Sequence, residues 1–203
     1  MVRLFLHYSK KKNEVTGPLL ADEIGKERSL GSDSILQRCK AGEDSAWSEL
    51  HGRYSPFVHG LILASGYSAD DADELTQETF LRVFRKIHEL KDGATFPAWL
   101  RAITKNLIVD RIRSGQRRPQ TIALGIEHTK PVTDANDEVA NQVLACIRSL
   151  PTAYREPLIL RLVEGLSGLE IAQLTGLTPE SVRVNLYRGM AQLRELLKKD
   201  GLP

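Results

Sequence analysis

The apolar residues of this chain recur every three or four positions over most of its length. Nowhere does single alternation of apolar and polar residues run long enough to predict a sheet. From Asp33 on, Ile35, Leu36 and Cys39 share one helical face, and Gly42 breaks that run. Asp44-Ser45-Ala46-Trp47 opens another helix with Leu50 and Tyr54 on its face, and residues 56–64 read as a separate apolar helix ending at Gly66. Ser68 is placed to cap ADDADELTQETFLRVFRKI, whose buried stripe is Ala72, Thr76, Phe80, Val83 and Ile87. In FPAWLRAITKNLIVDRIRSGQRR the inner stripe is Trp99, Leu100, Ile103 and Leu107, while Arg101, Lys105 and Ile108 point outward.

The pattern is sharpest in EGLSGLEIAQLTGLTPESVRVNLYRGMAQL, residues 164–193. Ser167 with Glu170 is a capping-box signature, and Leu169, Ala172 and Leu174 supply the apolar positions of a short helix, with Ile171 beside them. Gly176 ends it, Thr178 caps the next helix, and Pro179 sits in a first turn that tolerates proline. Val182, Leu186, Gly189 and Leu193 then make one face. Caps, turn and periodicity agree on a helix-turn-helix. Gly189 inside the helix predicts the close approach of another backbone.

Residues 114–137 contain Gly115, Pro119, Gly125 and Pro131 among polar residues, and read as a linker before helices resume at Glu138. The fold class is therefore all-α: two small helical domains, residues 31–113 and 138–203, joined by a flexible linker, the C-terminal one a helix-turn-helix. Residues 1–30 lack periodicity and read as a weakly ordered extension.

Composition narrows the chemistry. Of 203 residues, 28 are Lys or Arg and 26 are Asp or Glu, a net charge of +2, so any surface for nucleic acid must be local. Cys39 and Cys146 are far apart and the histidines are scattered, so the sequence implies no metal site, and each cysteine reads as a small core residue. There is no phosphate-cradling glycine loop, nucleophile motif or metal constellation, which argues against an enzyme and calls for no cofactor. No apolar run reaches the length of a membrane span, and the start has no small-residue cleavage site, so a cytoplasmic protein is expected.

Three faces carry candidate chemistry. On the last helix Arg183, Val184, Tyr187 and Arg188 lie opposite the apolar stripe; such residues suit guanine edges, thymine methyls and phosphates, or form an ordinary solvated face. On the acidic helix Glu74, Gln77, Glu78 and Leu81 suit a partner, or a solvated face with Glu78 and Arg82 as an i,i+4 pair, which spacing alone favours. On the basic helix Arg101, Lys105, Arg111, Arg113, Arg117 and Arg118 suit a phosphate backbone, and Asn106 with Asp110 suits a structural hydrogen-bond pair. Residues 88–95 between them form a loop that could hold an extruded base.

Taken in order, DSAWSELHGRY, DDADELTQETFLRVFRKI, FPAWLRAITKNLIVDRIR and LPTAYREPLILRLVEGLSGLEIAQLTGLTPESVRVNLYRGMAQLREL resemble the bacterial sigma factors of the extracytoplasmic-function type, across nearly all of residues 33–197. The resemblance implies a dissociable specificity subunit of RNA polymerase that directs transcription initiation. It implies that Asp73, Glu74, Gln77, Glu78 and Leu81 bind core RNA polymerase, and that Arg101, Lys105, Asn106 and Arg113 contact the single-stranded −10 element, with the loop before Phe96 as a base pocket. It implies that Thr178, Pro179, Ser181, Arg183, Val184, Tyr187 and Arg188 contact the double-stranded −35 element. Many relatives are also held by an anti-sigma factor.

This sequence departs from the family in places. Val184 and Asn185 stand where many relatives carry Ser or Thr followed by Arg or Lys, so base preference does not transfer. Pro157 predicts a kink or late start in the helix beginning near Pro151. The N-terminal extension has no counterpart. A stand-alone helix-turn-helix regulator, usually a dimer on a palindrome, is the rival reading; the linker and the acidic helix argue against it. The intact basic faces argue against a chain that only titrates an anti-sigma protein.

Overall fold

The computed structural model describes residues 34–115 and 135–200. The expectations for residues 1–30, for most of the linker and for Arg117 and Arg118 lie outside them. Among the described residues there are eight α-helices and no strand. The N-terminal half holds α1 (34–40), α2 (Asp44–Ala64), α3 (Ala69–Lys86) and α4 (Phe96–Arg113). The C-terminal half holds α5 (Ala135–Ser149), α6 (Thr152–Leu162), α7 (Gly168–Thr175) and α8 (Pro179–Lys199).

The centre of the molecule is α2. The two helices expected on either side of Pro56 are one continuous helix. Pro56 cannot donate to the carbonyl one turn earlier, at Gly52, but Gly52 is exposed and water can satisfy that carbonyl. Continuity is favoured because Leu50, Tyr54, Phe57, Val58, Leu61 and Ile62 are all buried by it. The last eight residues of α2 are buried almost all round, as in a core helix rather than a surface one.

Ser68 caps α3 as predicted, its Oγ accepting from the Asp71 backbone N–H at 3.1 Å. The buried face of α3 is wider than the predicted stripe and includes Leu75 and Thr79. In α4, Ile108 is buried and not outward, because this helix packs against α2, α3 and α7 rather than against one neighbour. Trp99 is partly buried against the core, with its ring 5.9 Å from that of Phe96. Phe96 in turn meets Tyr54 edge-on at 4.8 Å.

In the C-terminal half, helical backbone resumes at Ala135 rather than Glu138. The α6 helix starts at Thr152, with no late start, and runs through Pro157. The Ser167–Glu170 capping box is complete, with both reciprocal hydrogen bonds present. Gly176 adopts φ +75, the left-handed turn that only glycine enters cheaply. Thr178 accepts from the Ser181 N–H at 3.1 Å and starts α8. Of the apolar positions predicted for α7, Leu169 is exposed, Ala172 is buried and Leu174 partly so, and the most buried residue is Ile171 beside them. At Gly189 the close neighbour is not another backbone. A Cβ there would lie 2.9 Å from Leu158 Cδ1 and 3.0 Å from Tyr154 Cβ, so the glycine admits the side chains of α6.

The sequence leaves the placement of the two halves open, and the structure packs them together. Their buried residues form one hydrophobic cluster. The last turn of α2 has no basic residue of its own, and the other half supplies two. Arg148 on α5 donates to the carbonyls of Leu63, at 3.3 Å, and Tyr67. Arg155 on α6 donates to Ala64 O at 3.2 Å and to Leu150 O. At the end of α2 these guanidinium groups place positive charge on the Leu63 and Ala64 carbonyls, a negative helix end, with Leu63 O also accepting from the Gly66 N–H at 3.0 Å. Burial first, and the neighbouring Arg155 second, lower the pKa of Arg148 from the usual guanidinium value.

Candidate functional site

The helix-turn-helix aims its second helix outward. Thr178 and Pro179 fix the start of α8, and Val182, Gly189, Leu193 and Leu197 bury its inner face. The opposite face is then open. Tyr187 is 78% exposed, Arg183 and Arg188 are exposed, and Ser181 and Val184 are half-buried beside them. Arg183 rests on Glu180 at 2.5 Å, a surface pair at i,i+3 that is easily exchanged for another acceptor. A face of two guanidiniums, a phenol and a methyl-bearing side chain, on a helix 21 residues long, suits a major groove.

The basic helix α4 splits its predicted contacts. Lys105, Asn106 and Arg113 are exposed, whereas Arg101 is engaged. Its guanidinium forms a two-pronged pair with Glu156 of α6, Nη2 to Oε2 at 2.8 Å and Nη1 to Oε1. Asp110 does not pair with Asn106; it accepts from Arg82 Nη1 at 2.9 Å. The loop before Phe96 is pinned at its start, where Leu90 is buried and its carbonyl accepts from Lys40 Nζ at 2.5 Å; Lys91, Asp92 and Thr95 beyond it are exposed.

On α3, Asp73, Glu74, Gln77 and Leu81 are exposed, and Leu81 at 56% with Phe84 at 58% makes an apolar spot among charges. Glu78 is different: it is half-buried and holds α3 to α4. Its carboxylate accepts from Arg111 at 2.5 Å and from Arg82 at 3.0 Å, so the i,i+4 pair forms within a larger network that also ties Arg111 to Glu74 at 3.1 Å. Burial pushes the Glu78 carboxyl up, but the bonds from Arg111 and Arg82 outweigh it and hold its pKa below the usual range. The pKa of Arg111 is raised chiefly by its bond to Glu78, and that of Arg82 chiefly by its bond to Asp110, with Glu78 adding to it.

Sequence reasoning missed the residues at the junction of the halves. His59 on α2 lies between two carboxylates, Nδ1 at 2.7 Å from Glu164 Oε1 and Nε2 at 3.5 Å from Asp73 Oδ1. Beside it, Gly60 lies against Leu160 of α6. No local spacing relates residues about a hundred positions apart. A glycine inside the apolar run of α2 was the one available signal.

Among the described residues no cluster of His, Cys, Asp or Glu could hold a metal ion, and no helix is long and apolar enough to cross a membrane. The site is thus a set of separate charged faces, on α3, α4 and α8, suited to macromolecules.

Comparison with known proteins agrees with that geometry. Residues 50–118 match the Sigma-70 region 2 family and residues 140–193 match Sigma-70, region 4. The ECF RNA polymerase sigma factor SigE of Mycolicibacterium smegmatis is 32% identical over 195 residues, covering 92% of this chain and 70% of its own length. The RNA polymerase sigma factor CarQ of Myxococcus xanthus is 31% identical, covering 80% of this chain and 95% of its own. The fold is similar to that of CnrH in its complex with the cytosolic domain of CnrY, with a TM-score of 0.58, 24% identity, and coverage of 83% of this chain and 98% of that one. Two family regions in order, the sequence likeness and the all-α fold carry one conclusion: the chain belongs to the extracytoplasmic-function sigma factors, which direct RNA polymerase to promoters and initiate transcription.

Proposed function

We propose a division of labour among the faces. The N-terminal helical domain, residues 31–113, binds core RNA polymerase through Asp73, Glu74, Gln77, Glu78 and Leu81 and melts the −10 element. Arg101, Lys105, Asn106 and Arg113 hold the separated strand there, chiefly by its phosphates. The C-terminal domain, residues 138–203, places α8 in the major groove of the −35 element. Arg183, Val184, Tyr187 and Arg188 face the bases and backbone, and Thr178, Pro179 and Ser181 set the helix start against the phosphates. The linker that precedes α5 lets the two domains reach the two elements. The protein works in the cytoplasm as a non-catalytic factor, and polymerase performs the chemistry. The CnrH structure holds that protein with the cytosolic domain of CnrY, which supports a partner of anti-sigma type for this chain as well.

One observation carries this reading: the second helix of a capped helix-turn-helix leaves Arg183, Tyr187 and Arg188 exposed on one face while Val182, Gly189, Leu193 and Leu197 are buried on the other. Three substitutions test it separately. Glu74→Lys should weaken binding to core polymerase, Lys105→Ala should slow promoter opening with polymerase binding intact, and Arg183→Ala should weaken duplex −35 binding alone. Loss of all three functions in each variant would contradict the division.

A further inference from the structure

Glu180 is the only acid between Pro179 and Met190, and it stands in the middle of the outward face of α8. At about 100° per residue it lies between Arg183 and Val184 in angle, in line with Tyr187 and opposite the buried Val182 and Gly189. Its side chain is 67% exposed, and Oε1 accepts from Arg183 Nη2 at 2.5 Å. The start of α8 does not depend on it, because Thr178 already caps the helix. A surface pair of this kind adds only about 0–1 kcal/mol. A carboxylate on a face that meets DNA is repelled by every phosphate it nears. That repulsion is offset only where a donor on a base edge meets the carboxylate. In the major groove the donors are cytosine N4 and adenine N6; adenine sets its N7 acceptor beside the donor, and guanine and thymine present acceptors only. Glu180 is also the second residue of α8, and the first residues of such a helix are the ones that reach base edges. The rise from residue 180 to 183 is about 4.5 Å and a base step is about 3.4 Å, so the two side chains meet the same or neighbouring base pairs.

We propose that Glu180 is a specificity-determining residue of the −35 contact. Its carboxylate accepts from the N4 amino group of a cytosine, while Arg183 donates to the O6 and N7 of a guanine within one base step. Thymine and guanine at the cytosine position are rejected, because their acceptors face the carboxylate. This rests on the placement of α8 in the −35 major groove. Val184 and Asn185 carry no base preference over from the family, and the acid one turn before Val184 supplies one for this chain.

The test uses the full chain assembled with core RNA polymerase and a library of DNA duplexes of random sequence. Retained duplexes are sequenced for the wild type, Glu180→Gln, Glu180→Ala and Arg183→Ala, and the melting temperature of each chain is measured. The wild type should favour cytosine at one −35 position by about tenfold over thymine or guanine. Glu180→Gln, which keeps the shape of the side chain, should shift that preference to adenine, whose N6 and N7 suit a carboxamide. Glu180→Ala should level the four bases there. Arg183→Ala should instead relax a guanine within one step of it. Unchanged base preference in both Glu180 variants, with the guanine relaxed in Arg183→Ala, would overturn the proposal and leave the placement of α8 standing. A lower melting temperature with unchanged preference would make Glu180 a helix-start residue and overturn the proposal as well. Unchanged −35 preference in all three variants would overturn the placement of α8, and the proposal with it.

Discussion

A Cβ built on Gly60 of α2 would lie 2.6 Å from Cδ2 of Leu160 on α6, closer than real atoms approach. Leu160 is fully buried and cannot swing away. The absence of a side chain at residue 60 is thus what lets the C-terminal half seat on the N-terminal one. Gly60→Ala should destabilise the closed chain by about 1–3 kcal/mol through overpacking. Chemical denaturation checks this. Leu160→Ala added to Gly60→Ala should recover part of the loss, giving a coupling that two independent sites would not show.

Arg148 is a second support of the same junction. Arg148→Met keeps much of the apolar stem but removes the guanidinium donor to the Tyr67 carbonyl and one of two donors to the Leu63 carbonyl, which also accepts from the Gly66 N–H at 3.0 Å. The expected cost is about 1–3 kcal/mol, the penalty for leaving a buried acceptor unpaired. Thermal unfolding measures it. The exposed face of α8 is remote from these bonds, so duplex binding should be retained.

His59 makes the junction pH-sensitive. The hydrogen bond to Glu164, the charges of Glu164 and Asp73, and a bond donated to the Ala69 backbone raise its pKa above the ordinary imidazole value, against the opposing effect of burial. The folded state therefore binds this proton more tightly than the unfolded one. The stabilisation is complete below the unfolded value of about 6.5 and is lost as the pH rises through the higher folded value. The difference in melting temperature between the wild type and His59→Gln should shrink across that window. Melting curves of both proteins from about pH 5.5 to about pH 8.5 read it, with the variant cancelling the other titrating groups.

The helix-turn-helix separates stability from recognition. Thr178→Ala removes the cap of α8 and should cost about 0.5–2 kcal/mol of folding stability. Arg183→Ala should leave stability nearly unchanged, because that side chain is 76% exposed and its ion pair with Glu180 lies at the surface. Its loss should instead cost about 1–3 kcal/mol in binding to the −35 duplex. Calorimetry and duplex titration of the two variants should give opposite orders of effect.

Local chemistry was legible in the sequence. The capping box at Ser167, the left-handed Gly176 and the Thr178 cap are each decided within four residues, and all are present. Pro56 misled because its local cost is real, while the compensating burial of Phe57, Val58 and Leu61 comes from helices far along the chain. Ile108 misled for the same reason, since one outward face cannot reveal that three helices surround α4. The junction residues Glu156, Glu164, Arg148 and Arg155 were invisible, because each finds its partner more than 50 positions away or across the two halves. The faces expected on α3 and α8 were legible as patterns, but only the structure shows Glu78 turned inward to Arg111 while Glu74 and Gln77 stay exposed.

Promoter-directed initiation is read out by reconstituted transcription. The purified chain is added to core RNA polymerase with fragmented DNA from its own genome, and transcript starts are mapped. Discrete starts that share upstream −35 and −10 motifs, absent without the protein and lost with Arg183→Ala, are the expected result. Tight duplex binding without polymerase, and no starts with it, would instead identify a stand-alone regulator.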